Sequence, residues 1–283
     1  MLFITALCIY FVSNAQTSVW KVENQGSEFY LCGTSHVLRD QDLPLPAEFD
    51  LAYRASQKIV LEADVSKIKD PTIAQSMLSK SMLTDGKTLK TVLSETTYNK
   101  LSEECAKLGL PMQSLSMLKP SMLSITILGM KMLQLGLKNE GVDLFYYKKG
   151  IEDKKEISFL ESVDLQIDLL TSGSDGIEEE FTSLFLHDLQ NLEKEINLTI
   201  DSWKSGDAKF LNQKIKEIMK ASPKYYHSLL KDRNDAWMGK LDVYLADKEV
   251  EMVLVGALHL YGKDGLLQQL KTKGYAISQV MNP

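Results

Sequence analysis

Two segments near opposite ends of the chain share one pattern, and this pattern limits the possible folds more than any other feature. Residues 30–36 (YLCGTSH) and 253–259 (VLVGALH) each read as an apolar strand, then a glycine, then a histidine three positions later. The chain has only four histidines, so half of them stand in this pattern. Because α/β folds assemble their sites at the carboxyl ends of parallel strands, we expect His36 and His259 to share one polar site.

Two further apolar segments end in an acid. KIVLE ends in Glu62 and ISFLE ends in Glu161, and both are predicted to be buried strands. Imidazole nitrogens and carboxylates together form the ligand set of a catalytic divalent-metal site that keeps a position open for water. Such a metal acidifies its bound water and polarises a carbonyl, as amide or ester hydrolysis requires. The predicted metal ligands are therefore His36, His259, Glu62 and Glu161.

The identity of the metal is left open among manganese, cobalt, iron and zinc, whereas calcium prefers shells made only of oxygen. Several enzyme classes lack their sequence signatures here. There is no His-Glu-x-x-His helix, no Gly-x-Ser-x-Gly elbow, no phosphate-binding loop and no dinucleotide fingerprint. The 32 basic and 38 acidic residues give a net charge of −6 without a basic cluster. We therefore expect no nucleic-acid partner.

Strand patterns lie near both ends of the chain, and helical periodicity fills most of the sequence between them. The predicted fold is an α/β domain over residues 16–283 with a central mixed sheet, a helical insertion at about 71–137 and a second helical region at about 176–245. Residues 115–137 are the most apolar stretch of the expected mature chain, but Lys119, Pro120 and Lys131 interrupt them. This interruption favours a buried helix pair or an apolar cleft wall over a membrane span.

The first fifteen residues resemble a secretory signal. Residues 2–12 form an apolar core that is too short to cross a membrane, and Ser13, Asn14 and Ala15 supply small residues for cleavage. A basic residue before the apolar core is missing, and a buried N-terminal strand is the alternative. We expect residues 1–15 to be a signal peptide, a periplasmic or secreted mature protein, and no integral membrane segment after cleavage.

Several motifs, in order along the chain, resemble the TraB/GumN family, which includes the animal Tiki proteins. The matching segments are Tyr30-Leu-Cys-Gly-Thr-Ser-His36, Leu43-Pro-Leu-Pro46, Ile59-Val-Leu-Glu62-Ala-Asp64, Lys119-Pro120, Glu140-Gly-Val-Asp143, Leu160-Glu-Ser-Val-Asp-Leu-Gln166, Arg233-Asn234, Val255-Gly-Ala-Leu-His259-Leu-Tyr-Gly262, Asp264-Gly265-Leu266 and Gly274-Tyr275. The resemblance implies an α/β fold of two similar halves with a helical insertion, related to erythromycin-esterase-like and ChaN-like proteins.

For the Tiki branch, the resemblance implies metal-dependent peptidase activity. It places His36, Glu62 and His259 among the metal or catalytic residues. It gives Arg233 and Asn234 a role at the site, where Arg233 would bind a substrate carboxylate or stabilise an oxyanion. Glu140 and Asp143 are interpreted as acids at a helix N-terminus, with a structural role.

The leading hypothesis is an exported, divalent-metal-dependent hydrolase, a peptidase that cleaves a peptide or protein substrate. Glu62 would be a metal ligand or the general base that deprotonates the metal-bound water. One alternative is a binding protein of the same fold that sequesters a peptide, haem or metal without turnover. Another is a metal-free esterase in which histidine and glutamate activate water or a substrate hydroxyl.

Overall fold

A computed structural model describes residues 16–281 except residues 139 and 247. The predicted signal peptide lies outside the described residues. The strands are β1 (Gln16–Asn24), β2 (Ser27–Thr34), β3 (Lys58–Leu61), β4 (Glu156–Phe159), β5 (Glu251–Gly256) and β6 (Ala276–Met281). They form one six-stranded sheet in the order β4-β3-β5-β2-β1-β6. Strands β2, β3, β4 and β5 run parallel, whereas β1 is antiparallel to both β2 and β6. The predicted mixed sheet with strands near both chain ends is thus confirmed.

Helices occupy most of the chain between these strands. They are α1 (Ala47–Ala55), α2 (Pro71–Lys80), α3 (Leu89–Val92), α4 (Glu95–Lys107), α5 (Pro120–Gln134), α6 (Val142–Glu152), α7 (Val163–Ser172), α8 (Glu178–Gln190), α9 (Leu192–Ser205), α10 (Ala208–Ala221), α11 (Pro223–Tyr226), α12 (Asp232–Tyr244) and α13 (Leu266–Thr272). The sequence-based expectation missed α7, which directly follows the β4 segment. Whether the chain is a single domain stays a prediction.

Burial along the strands explains their places in the sheet. All six residues of β5 are buried, as expected for a central parallel strand that is covered on both faces. Strand β6 instead alternates between exposed and half-buried residues, which suits its position at the sheet edge. The β1–β2 turn uses Gln25 and Gly26, both at positive φ (49° and 91°), as a tight hairpin requires.

The apolar residues form two separate cores. The larger core surrounds the sheet and includes Trp203 of α9, Tyr146 of α6 and Phe49 of α1. The Phe49 ring lies 5.7 Å from that of Trp203 and 6.2 Å from that of Tyr146. The smaller core lies among helices, and its buried members are Leu89, Leu93, Leu101, Cys105, Leu123, Ile127, Leu186 and Leu189. The apolar stretch predicted at 115–137 thus supplies core residues from α5. Within the described residues, no helix combines the length and the apolar character that a membrane span needs.

Candidate functional site

The parallel strands β2, β5, β3 and β4 deliver polar side chains to one edge of the sheet. Thr34, the last residue of β2, is aligned with Gly256, the last residue of β5. Leu61 ends β3 and is aligned with Phe159 at the end of β4. The polar residues His36, Glu62, Glu161 and His259 follow within a few positions. The paired strand ends therefore explain why residues more than 200 positions apart in sequence lie side by side.

Arg233 of α12 lies among these residues, and all five of its guanidinium N–H groups are used. Nη2 donates to Glu62 Oε2 (2.5 Å) and to Glu161 Oε1 (2.7 Å), and Nε donates to Glu161 Oε2 (3.1 Å). Nη1 donates to His259 Nε2 (2.9 Å) and to the Leu229 carbonyl (3.1 Å). The Arg233 side chain is only 8 % exposed. In this arrangement Arg233 orients the neighbouring acids and His259 and has no donor left for a substrate.

His259 is buried, and its hydrogen bonds define its tautomer. The Asn234 side-chain amide donates to the carbonyls of Asp264 (2.8 Å) and His259 (3.3 Å), so Asn234 Oδ1 is left to face His259 Nδ1 at 2.6 Å. The proton therefore lies on Nδ1, and Nε2 accepts from Arg233. Burial lowers the pKa of His259 to about 3, although the nearby Glu62 carboxylate acts in the opposite direction. His259 is therefore neutral at physiological pH.

Glu62 is a carboxylate held by several donors. The Gly256 N–H donates to Oε1 (2.7 Å), and the Gln166 side-chain amide donates to Oε2 (3.3 Å) in addition to Arg233. Burial favours the neutral acid, but the electrostatic influence of His259, Arg233 and His36 outweighs it and lowers the pKa of Glu62 to about 2. Glu62 therefore carries its negative charge across the whole physiological range.

Glu161 lies deeper than Glu62 and faces away from solvent. Its side chain is 4 % exposed. Besides Arg233, the indole N–H of Trp237 donates to Oε2 (3.0 Å). The Trp237 ring also packs against the His259 ring in a tilted arrangement, with 4.5 Å between the ring centres, so one helix, α12, supports Glu161 and His259 together. The geometry gives Glu161 the role of fixing Arg233.

His36 lies at the solvent-facing side of the site, with a side chain that is 63 % exposed. Its Nδ1–H donates to Asp143 Oδ2 at 3.0 Å, and the Asp143 carboxylate raises the pKa of His36 above its usual value. The purely structural interpretation of Asp143 is therefore incomplete. Asp143 does lie in the first turn of α6, as expected, but it also orients His36. The Glu140-Gly-Val-Asp143 motif was the sequence feature that could have indicated this role of Asp143 at the site.

A glycine brings these groups close together. A Cβ on Gly256 would lie 3.2 Å from His36 Nε2, 3.4 Å from Glu62 Oε1 and 3.7 Å from the His259 ring. The glycine of the strand-Gly-x-x-His pattern at 253–259 thus permits the close approach of all three side chains. Its counterpart, Gly33, has a packing role, because a Cβ there would lie 2.7 Å from Leu260 Cδ1.

Two cavities adjoin the site. A cavity of about 380 Å³ is lined by the polar groups of His36, Asp143, Glu62 and Arg233 on one side and by leucines of α7 on the other. A second, mostly apolar cavity of about 290 Å³ lies among α5, α8, α9 and α10. Leu229 lines both cavities, and it belongs to a π-helical turn (His227–Lys231) immediately before α12. Such turns often occur at functional sites.

The residues nominated as metal ligands do not form a metal centre in this arrangement. The guanidinium of Arg233 lies between Glu62, Glu161 and His259, and its N–H groups occupy the space that a cation bound to these three side chains would need. Across the part of the chain that the structure describes, no three His, Cys, Asp or Glu side chains are grouped so as to hold a metal ion. The divalent metal, its four ligands and catalytic roles for Arg233 and Asn234 stay predictions.

Comparison with known proteins gives a family and one distant relative. The chain is 25 % identical over 260 residues to the uncharacterized protein YbaP of Escherichia coli K12. This alignment covers 86 % of the chain and 88 % of YbaP. No solved structure matches the chain. The family model for TraB/PrgY/gumN matches residues 18–279, which include every residue of the site. Because this match spans most of the chain, the chain belongs to the TraB/PrgY/gumN family.

Proposed function

We propose that this protein is a hydrolase that cleaves an amide or ester bond, most naturally in a peptide, at the cavity beside His36 and Glu62. The observation that carries the proposal is the closeness of His36 Nε2 and Glu62 Oε1 beside Gly256, at 3.2 and 3.4 Å from the position that a Cβ on this glycine would take. Both side chains line the same cavity, where a water between them would contact an ionised carboxylate and an imidazole at the same time.

The pKa values of these two groups are shifted in opposite directions. Burial favours the neutral form of Glu62, but the electrostatic influence of His259, Arg233 and His36 lowers its pKa to about 2, whereas the Asp143 carboxylate raises the pKa of His36. Pairs of titratable groups with separated pKa values are typical of acid–base catalysis. Glu62 would accept a proton from the attacking water, and the resulting hydroxide would add to the carbonyl carbon. The His36 imidazolium would then donate its proton to the leaving nitrogen or oxygen as that bond breaks.

The apolar cavity favours the proposal that the substrate has a bulky apolar group near the scissile bond. Leu128 and Met132 of α5 line it together with Phe181 and Phe185 of α8. Because Leu229 lines both cavities, an apolar side chain bound there would lie next to the polar site. Ligand pockets commonly combine such an apolar lining with a few polar groups that orient the ligand.

A peptide-library cleavage screen with residues 16–283 tests the proposal. We expect cleavage by the wild type and a loss of about 100-fold or more in kcat/KM in Glu62→Gln and His36→Ala, since each removes a proton-transfer group. Glu140→Gln is the matched control, because this exposed acid pairs with Lys148 and lies outside the site. Cleavage that survives in Glu62→Gln at the wild-type rate would refute the assigned base.

A non-catalytic peptide-binding protein is the second candidate, and the apolar cavity is the observation that favours it. The same variants separate the two candidates. A hydrolase keeps peptide affinity in Glu62→Gln while turnover disappears. A sequestering protein binds the same peptides without cleavage in both the wild type and the variant.

The finer expectation of a divalent metal requires Arg233 to give up its present partners. Metal analysis of the wild type, His36→Ala and His259→Ala after incubation with manganese, cobalt, iron or zinc tests it. A near-stoichiometric ion that is lost in both variants would favour a metallohydrolase, and activity that persists in chelator would favour the route through Glu62 and His36.

Export is likewise part of the proposal, supported by the apolar core at residues 2–12. Its test is the N-terminal residue of the mature protein, expected to be Gln16.

A further inference from the structure

Arg233 is a nearly buried cation whose five N–H groups all have acceptors, and the proposed reaction gives it no direct step. Two carboxylates, Glu62 and Glu161, and one imidazole nitrogen, His259 Nε2, face a single cation. Both acids and the histidine are nearly buried, with side chains that are 11 %, 4 % and 4 % exposed. Two buried carboxylates both stay ionised only when a positive charge lies among them, since otherwise at least one of them takes up a proton.

The protein supplies that charge itself. The donors of Arg233 reach Glu62, Glu161 and His259 at 2.5 to 2.9 Å by their shortest contacts, and the Leu229 carbonyl and the Trp237 ring (4.8 Å) complete its surroundings. Since His259 Nδ1 donates to Asn234, its Nε2 lone pair is directed at the cation, as the lone pair of a metal-bound imidazole would be. Two carboxylates and one neutral imidazole are also ligands that manganese, cobalt, iron and zinc accept.

We propose that the Arg233 guanidinium is the resident cation of this site and occupies the place of a divalent ion, so that Glu62, Glu161 and His259 become a ligand set for Co²⁺ or Mn²⁺ once Arg233 is removed. The wild type therefore excludes divalent ions from this position, and Arg233→Met admits one. This inference concerns binding and does not rest on the proposed hydrolysis.

The experiment compares the wild type, Arg233→Met and the double variant Arg233→Met/Glu161→Gln. Each protein is incubated with CoCl₂, dialysed and analysed for cobalt, and its melting temperature is measured with CoCl₂, with MgCl₂ and with chelator. We expect no retained cobalt and no shift for the wild type. For Arg233→Met we expect close to one cobalt per chain and a melting temperature about 5 °C higher with saturating cobalt. The double variant should lose most of this shift.

Arg39→Met is the matched control, because Arg39 also forms a partly buried ion pair, with Asp42 at 3.0 Å, but lies outside the site. It should bind no cobalt. If Arg233→Met does not fold in chelator, the readout becomes its refolding yield, which should recover with CoCl₂ and not with MgCl₂. Arg233→Ala gives a second test, since free guanidinium at low millimolar concentration should raise its melting temperature and leave that of Arg39→Ala unchanged.

Three outcomes would overturn the proposal. The first is a stoichiometric cobalt ion in the wild type that is lost in His259→Gln, because the cation position would then be open beside Arg233. The second is a folded Arg233→Met that retains no cobalt. The third, for an Arg233→Met protein that does not fold in chelator, is a refolding yield that cobalt does not raise. Peptide cleavage plays no part in these readouts, so a failure of the proposed hydrolase would leave the result unaffected.

Discussion

Glu161 is buried against two donors, Arg233 and Trp237, and removal of its charge should be costly. In Glu161→Gln the Arg233 guanidinium keeps only Glu62 as a charged partner. Loss of one member of a buried ion pair typically costs about 3–5 kcal/mol, so we expect the free energy of unfolding to fall by about 3 kcal/mol. Urea unfolding measures this change.

Glu156→Gln is the matched control for that substitution, since Glu156 lies on β4, the strand that precedes Glu161, but is 61 % exposed in its pair with Lys58. An exposed pair contributes about 1 kcal/mol or less. Equal destabilisation by the two substitutions would contradict the central position of Glu161 in the cluster.

The buried His259 predicts an acid-dependent loss of stability. Its pKa, about 3 when folded, is below the ordinary value of about 6.5 of the unfolded chain. Between these values the unfolded chain binds one proton more, so stability falls as the pH falls. From pH 6.5 to pH 5 we expect a loss of about 1–2 kcal/mol. Glu62, with its lowered pKa of about 2, adds a further loss of stability only below about pH 4.5. The raised pKa of His36 contributes stability that is fully present below about pH 6.5 and is lost as the pH rises, so it does not affect this comparison.

Urea unfolding of the wild type and His259→Gln at pH 6.5 and pH 5 checks this expectation through the difference between the two pH values. The difference should shrink in His259→Gln and persist in His187→Gln, which changes an exposed histidine of α8. A pH dependence that is unchanged in His259→Gln would show that other groups cause it.

At the scale of single residues, the sequence indicated which polar residues follow the strand ends better than it indicated their contacts. His36, Glu62, Glu161 and His259 follow strand ends, and parallel pairing brings them to one edge. The five donor contacts of Arg233 depend on the angle at which α12 crosses that edge, which no local pattern encodes. The contact between Arg233 and Glu161 spans 72 positions, and the one between His36 and Asp143 spans 107.

At the scale of elements, the N-terminus of α6 docks directly on the loop that carries His36. The Val142 N–H donates to the Ser35 carbonyl at 3.0 Å. A Cβ on Gly141 would lie 2.4 Å from that carbonyl oxygen and 2.4 Å from the His36 carbonyl carbon. Since both are backbone atoms, no side-chain movement relieves the clash. Gly141→Ala should therefore lower the free energy of unfolding by about 1–3 kcal/mol and displace His36 from Asp143.

The measurement is urea unfolding together with the NMR titration of His36. Displacement from Asp143 should bring the pKa of His36 down toward its ordinary value. Gly239→Ala is the matched control, because Gly239 lies within α12 and a Cβ there meets nothing within 4 Å. It should stabilise the protein by up to about 1 kcal/mol through helix propensity. An unperturbed His36 titration in Gly141→Ala would refute the docking argument.

Element boundaries were predictable where the hydrophobic period was clear. Strands β2, β3 and β5 have continuous apolar runs because both faces are covered, and their positions agree with the sequence-based expectation. The sequence pattern did not predict α7, because this helix has only ten residues and begins shortly after β4. Its apolar residues also include the exposed Leu165 and Leu170, so they do not all mark a buried face. Leu170 lines the cavity beside Glu62. An apolar residue at this exposed position obscures the helical periodicity of the segment.

At the scale of the whole molecule, two cores support different parts of the fold. The larger core holds the sheet and α12, and therefore the site, whereas the smaller one joins α3, α4, α5 and α8. Leu101 in the smaller core and Leu241 in the larger one are both fully buried leucines on helices. Each substitution to alanine should cost about 2–5 kcal/mol in the region that it supports.

The two substitutions should differ in where they act, because separate cores permit sub-global opening. Hydrogen exchange followed by mass spectrometry should show faster exchange in α4, α5 and α8 for Leu101→Ala, with β5 and α12 unchanged. Leu241→Ala should instead accelerate exchange in α12 and β5 and weaken the Arg233 cluster. If Leu101→Ala accelerates exchange in β5 and α12 as strongly as in α4, the chain unfolds as one cooperative unit. In that case the helical region cannot open without disrupting the site.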